Sequence, residues 1–278
     1  MSRFDVINLN EVKIHPATHV LLDRIMMQPV VRNALDEGGW IAGGFIRQIL
    51  LGNDVTNYFN PNVENRAGDV DIFFDSPTRA SDCVNACGSR PPSWGGFAKD
   101  VSINTPGTGI INVQLVDSPD LCLPFEESMA RFDFTNCKVA LRGNKFYVPA
   151  GWKELEDNKL LQITSCASPF LGTRIIKYMK SRGLTQISPD SIPVLSEWLY
   201  KVAAGDFPNF TKTHLMGLES AIRRLYHMNK MDPTFLALFM GRWTTLEQIP
   251  RGYGHYETIS IDWAQSEIAK LNEVRVSA

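Results

Sequence analysis

Apolar residues recur at helical spacing between residues 19 and 37, where Val20, Leu22, Ile25, Met26, Val30 and Ala34 fall on one face of a helix that Gly38-Gly39 closes. Trp40-Ile41-Ala42 is a short, wholly apolar run of the kind a buried strand makes. After a glycine pair, Phe45–Leu51 predicts one or two helical turns. Residues 52–68 are polar and hold Asn, Pro and Gly, which predicts a loop. Asp69–Phe74 and Ile110–Val116 predict strands, and the Ser-, Pro- and Gly-rich stretch 75–109 between them follows no period. Phe132–Leu141 predicts a further strand, turned back through Arg142-Gly143-Asn144-Lys145 onto Phe146-Tyr147-Val148 as a hairpin. From about residue 153 the period becomes helical. Pro169–Arg182, Ile192–Ala204, Thr213–Met228 and Ile261–Leu271 are the predicted helices. The order predicts an α+β protein: a mixed sheet with flanking helices in residues 1–152 and a mostly helical domain in 153–278.

Composition adds that 44% of residues are hydrophobic and 21% charged, which places the chain among globular proteins and excludes a disordered one. No apolar run reaches the length of a membrane span, and no signal-peptide pattern opens the chain. Cys83, Cys87, Cys122, Cys137 and Cys166 show no zinc-finger spacing, so they read as reduced thiols and the chain as cytoplasmic. The net charge of −2 conceals a division. Residues 1–136 carry 17 acids against 10 Lys and Arg, and residues 137–278 carry 13 against 18, giving −7 and +5. An acidic half suits a metal, and a basic half suits polyphosphate or nucleic acid.

The chemistry concentrates between Gly43 and Asp71. In Asp69-Val70-Asp71-Ile72-Phe73-Phe74, strand alternation turns Asp69 and Asp71 to the same face. Two carboxylates so close repel each other unless a cation lies between them, and hard oxygen donors suit magnesium. Gly43-Gly44 lets backbone approach a ligand closely, ahead of a helix whose first N–H groups favour an anion. A third acid is needed to clamp a transferring phosphoryl group between metals. Asp133, between Phe132 and Phe134, is the candidate, with pairing to Arg131 or Arg142 as its structural alternative. Asp75 reads as a turn acid. Arg174 and Lys177 lie three apart on one helix face. Glu219 with Arg223 reads as an ordinary helix ion pair, and Trp243, Tyr253, Tyr256 and Trp263 as core or as stacking platforms for bases.

Gly43-Gly44-Phe45-Ile46-Arg47, Asp69-Val70-Asp71 and the later Asp133 together resemble the polymerase-beta-type nucleotidyltransferase superfamily, above all the head domains of poly(A) polymerases and tRNA nucleotidyltransferases. Leu155–Leu161 and Thr173–Tyr178 resemble the segment joining such a head to its helical neck. Phe132-Asp133-Phe134-Thr135 with Arg174–Tyr178 is similar to nucleotidyltransferase-like proteins of bacteriophages and large viruses, which would place the chain in a host cytoplasm. The resemblance implies that Asp69, Asp71 and Asp133 bind two magnesium (or manganese) ions. It implies that Gly43, Gly44, Arg47, Arg174 and Lys177 contact the phosphates of an NTP such as ATP. It also implies transfer of a nucleoside monophosphate to a hydroxyl with loss of pyrophosphate, the leading acceptor being an RNA 3′ end, perhaps tRNA. A protein or small-molecule acceptor, as in toxin-type relatives, and a non-catalytic RNA- or nucleotide-binding module are the alternatives. The chain departs from the pattern in having 24 residues between Gly44 and Asp69, which predicts an inserted loop over residues 53–67, and Gln48 after the motif arginine.

Overall fold

The computed structural model describes residues 4–59, 68–86, 99–105 and 109–191, together with 193–195, 197, 198, 201, 206 and 207. The chain divides into two units, Met1–Lys153 and Glu154–Ala278.

The first unit is built on a seven-stranded mixed sheet. Its strands are β1 (Phe4–Asn8), β2 (Trp40–Ala42), β3 (Asp69–Phe73), β4 (Lys99–Thr105), β5 (Gly109–Leu115), β6 (Ala140–Arg142) and β7 (Lys145–Pro149). They lie in the order β1-β7-β6-β2-β3-β5-β4. Neighbours run antiparallel except β3 and β5, which are parallel. Helices α1 (Pro16–Met26), α2 (Pro29–Asp36), α3 (Gly44–Leu50), α4 (Pro77–Ala86) and α5 (Phe125–Ala130) flank it. Val70 and Ile72 of β3, with Ile111, Val113 and Leu115 of β5, point into the larger core, where residues of α1 to α4 cover them. Trp40, Ala42, Phe73 and Ala140 occupy the opposite face beneath Phe125 and Met129 of α5. Phe73, Ala42 and Asp71 thus belong to the face turned away from the larger core.

Several expectations are corrected. The single helix over 19–37 is two, because Pro29 opens α2 and Gln28 before it is extended at ψ 133°. The segment read as a loop contains a 3₁₀ helix, Val55–Phe59, whose Val55, Tyr58 and Phe59 are buried in the larger core. The strand over 132–141 shrinks to β6. Residues Thr135–Cys137 instead form a 3₁₀ turn, with the Cys137 and Lys138 N–H groups donating to the Phe134 and Thr135 carbonyls at 3.0 Å. Asp133 consequently lies on a connection and not inside a strand. β1 and β4 were not foreseen: Phe4–Asn8 does not alternate, and the short alternation of Val101 and Ile103 in Lys99–Thr105 lies within a Ser-, Pro- and Gly-rich stretch that as a whole was not assigned.

After α6 (Trp152–Asp157), α7 (Leu171–Ser181) in the second unit realises the helix expected over 169–182, and β8 (Leu160–Leu161) pairs in parallel with β9 (Gln186–Ile187). The Trp198 indole N–H donates to the Ser168 carbonyl at 2.9 Å. Residues 193–195, 197, 198 and 201, within the helix expected over 192–204, are helical. The helices expected over 213–228 and 261–271, and with them Glu219, Arg223, Trp243, Tyr253, Tyr256 and Trp263, lie outside the described residues. Among the described residues no helix is long and apolar enough to cross a membrane. The four described cysteines, Cys83, Cys122, Cys137 and Cys166, are free thiols.

Candidate functional site

Strand β3 alternates as its sequence requires. Val70 and Ile72 are fully buried, whereas Asp69 and Asp71 are half-buried on the other face. The register fixes their neighbours: Asp71 stands opposite Ala42 on β2 and Gln114 on β5, and Asp69 opposite Asn112 on β5. Because Ile111, Val113 and Leu115 take the core face of β5, Asn112 and Gln114 share the face of the two acids.

Past Ala42 the chain leaves the sheet through Gly43, which adopts φ +92° and ψ −148°, a conformation L side chains rarely take. Its N–H donates to the Val139 carbonyl at 3.1 Å, and its own carbonyl accepts the Arg47 N–H at 3.0 Å, starting α3. A Cβ on Gly43 would lie 3.5 Å from Oδ2 of Asp71 and 3.8 Å from the Phe132 ring. Phe132 in turn packs its ring 5.1 Å from that of Phe73. The glycine turn, Asp71 and the segment leading to Asp133 therefore meet on one face of the sheet.

Asp133 is buried, and the Lys138 ammonium is a charged neighbour of it. Burial pushes the Lys138 ammonium below the ordinary lysine range, and the Asp133 carboxylate opposes that shift. The Lys138 ammonium also donates to the Ala130 carbonyl at 3.5 Å. Sequence reasoning missed Lys138, since a single lysine after a Thr-Asn-Cys turn reads as surface. Arg142 instead lies 5.6 Å over the rings of both Trp40 and Phe125. Asp75 accepts a bond from Arg79 at 2.9 Å across one helical turn, as a turn acid should.

Magnesium asks for hard oxygen donors, and Asp69 and Asp71 present two of them beside a position where glycine leaves room for a ligand. That donor pair fits a divalent cation. Among the described residues no three His, Cys, Asp or Glu side chains converge as a metal site. Arg47, on the first turn of α3 after the glycine pair, is 1% exposed. Arg174 is exposed and Lys177 half-buried, three apart on α7 in the second unit.

Residues 15–158 match the family described as Gabija anti-defense 2, a match of 144 of the 278 residues. The chain belongs to the Gabija anti-defense 2 family. No curated protein sequence matches this family member. Solved structures similar to it include a CCA-adding enzyme in an apo form, with a TM-score of 0.47 and 13% identity over 87% of this chain and 54% of that one. A tRNA nucleotidyltransferase complexed with a primer tRNA and an ATP analogue is similar at a TM-score of 0.45, with 18% identity over 87% of this chain and 70% of that one. A Thermotoga maritima CCA-adding enzyme in complex with tRNA is similar at 0.43, with 14% identity over 96% and 74% of the two chains. The Gabija anti-defense 2 protein thus spans about half the length of the first of these. Likeness of this degree carries none of their activities to it.

Proposed function

We propose that this Gabija anti-defense 2 protein is a metal-dependent nucleotidyltransferase that moves a nucleoside monophosphate from an NTP to an acceptor hydroxyl and releases pyrophosphate. The observation that carries the reading is the pair Asp69 and Asp71, turned away from the larger core on β3 with Gly43 against Asp71. A cation held by the pair, magnesium or manganese, would neutralise phosphate charge and acidify an attacking hydroxyl. Gly43 and Gly44 let a triphosphate come close to backbone, and the buried Arg47 guanidinium sets positive charge behind that turn. Asp133 serves as the base that receives the hydroxyl proton, with Lys138 as its counter-charge. The hydroxyl oxygen bonds to the α-phosphorus as the bond to the bridging oxygen of the β-phosphate breaks. Arg174 and Lys177 are the second-rank phosphate contacts.

An RNA 3′ end, tRNA among them, is the acceptor favoured by the basic residues 137–278. The family's description as anti-defense favours a second reading, in which the acceptor is a side chain of a defence protein, modified as toxin-type relatives modify theirs. The test is incubation of the full chain and magnesium with each α-labelled NTP, supplied with total tRNA, with total protein, or alone. Label on RNA that disappears in the Asp69→Ala/Asp71→Ala variant establishes the first reading, and label on protein the second. NTP binding without label on either acceptor overturns both in favour of a nucleotide-binding module.

A further inference from the structure

The second unit holds a cluster of three reactive side chains that nucleotidyl transfer does not use. The Lys201 ammonium donates to the Cys166 sulfur at 3.2 Å and pairs with the Glu197 carboxylate at 2.8 Å. Lys201 and Glu197 lie one helical turn apart, whereas Cys166 comes from 35 residues earlier, in the segment ahead of α7. The cluster is open to solvent: Cys166 is half-buried, and the side chains of Lys201 and Glu197 are 33% and 57% exposed. The other described cysteines differ. Cys83, Cys122 and Cys137 are buried, and the Cys122 thiol donates to the Val116 carbonyl at 3.3 Å.

Hydrogen bonding decides which way each group faces. An ammonium has three donors and no acceptor, so the sulfur turns an electron pair towards Lys201. Hydrogen bonds with Lys201 first, and with Cys166 second, hold the Glu197 carboxyl below the ordinary carboxylate range. Lys201 is held above the ordinary lysine range, by Glu197 first and Cys166 second, and so stays charged. Positive charge fixed 3.2 Å from a sulfur that solvent reaches stabilises the anionic sulfur that attacks electrophiles. We propose that Cys166 is a modification site, oxidised to a sulfenic acid by a hydroperoxide, with Lys201 as the cation beside the reacting sulfur and Glu197 as the anchor of that cation. The thiol proton leaves to solvent, a sulfur electron pair bonds to one peroxide oxygen, and the O–O bond breaks. The other oxygen departs as hydroxide and takes a proton from solvent to become water. Sulfur gives up two electrons and the peroxide gains them. None of the three residues belongs to the candidate nucleotide site, so this site stands or falls apart from nucleotidyl transfer.

The test treats the reduced full chain with hydrogen peroxide and dimedone, which captures sulfenic acids, while peptide mass spectrometry follows label at each cysteine over time. Wild type, Lys201→Met and Lys201→Arg are compared, with melting temperatures measured alongside. In folded wild type, residue 166 is expected to take label at least about fivefold faster than Cys83, Cys122 and Cys137. It should also react at least about fivefold faster folded than in urea, where the sulfur is more accessible but has lost Lys201. Lys201→Met should slow residue 166 by a similar factor at an unchanged melting temperature, and Lys201→Arg, which keeps a charged donor, should restore most of the rate. Label at residue 166 no faster than at the buried cysteines overturns the proposal, as does an undiminished rate in folded Lys201→Met. Should Lys201→Met unfold, the urea comparison decides: a rate no higher folded than unfolded overturns the proposal by itself.

Discussion

Gly43 sits at φ +92° and ψ −148°, so its backbone disfavours any other residue, whereas a Cβ there would only touch Oδ2 of Asp71 at an ordinary 3.5 Å. Gly43→Ala is expected to cost about 1–3 kcal/mol of stability through backbone strain alone. It should also abolish nucleotide binding, a result isothermal titration would show directly. Asp69→Ala/Asp71→Ala should behave in the opposite sense: transfer is lost while the melting temperature holds or rises, because two repelling charges are removed. A fall of several degrees would make the pair structural. Arg47 differs again. It is buried, so Arg47→Ala should weaken NTP binding and also lower stability by roughly 2 kcal/mol, as loss of a buried polar partner does. Cys122 gives the chain a pH signature. Burial, with Asp117 adding to it, pushes its thiol up to about 11 from the ordinary 9.0. The folded state then holds a proton that the unfolded state releases, so this contribution is intact below pH 9 and is lost as pH rises through about 11. Urea midpoints at pH 8 and pH 10.5 should therefore differ more in wild type than in Cys122→Ala. What was legible at this scale was what alternation enforces: Asp69 and Asp71 had to share a face once β3 was a strand. Gln114, Ala42 and Lys138 were illegible because their meaning comes from strand register and from a turn, neither of which has a local signal.

The connection between α3 and β3 shows how an element can be misread from composition. Asn, Pro and Gly made residues 52–68 look like solvent-exposed loop, yet Val55, Tyr58 and Phe59 are buried and three aromatic rings, Phe45, Tyr58 and Phe59, pack within 6.3 Å of one another. Polar residues on a 3₁₀ turn of five cannot display the period of a longer helix, so three buried positions among them passed unnoticed. Gly68 closes the same packing: its N–H donates to the Tyr58 carbonyl at 2.7 Å, and a side chain there would overlap the Tyr58 ring. Phe59→Ala is expected to cost about 3–5 kcal/mol, the usual penalty for emptying a buried aromatic site, and denaturant unfolding would measure it. A cost under 1 kcal/mol would mean the turn is dispensable to the core. The long helix expected over 19–37 failed for a different reason. Leu22, Ile25 and Ala34 of its apolar stripe are buried while Val20 is exposed, and Pro29 cannot donate an N–H to a turn that would span it, a missing donor about which stripe periodicity says nothing.

For the whole molecule, the charge imbalance between residues 1–136 and 137–278 carries its own expectation. If the basic half meets RNA phosphates, tRNA affinity measured at 50 mM and 200 mM salt should fall at least about tenfold, through release of condensed counterions. Affinity independent of salt would remove RNA as the acceptor. The mixed sheet itself was foreseeable in kind, since β2, β3, β5 and the β6/β7 hairpin each carry a local apolar pattern. Their spatial order was not, because pairing partners far apart in sequence leave no mark on either segment. β1 is the extreme case. Phe4–Asn8 pairs with Lys145–Pro149, so the first strand of the sheet in chain order waits for the last. A ribosome adding roughly 5–20 residues per second takes on the order of 10–30 s to travel from one to the other, and longer before the partner clears the exit tunnel. Throughout that interval the nascent chain carries Phe4 and Ile7 without a ladder to join. Completion of the sheet is accordingly an event late in synthesis, and a chain stalled before Lys145 offers an open strand to whatever holds nascent proteins.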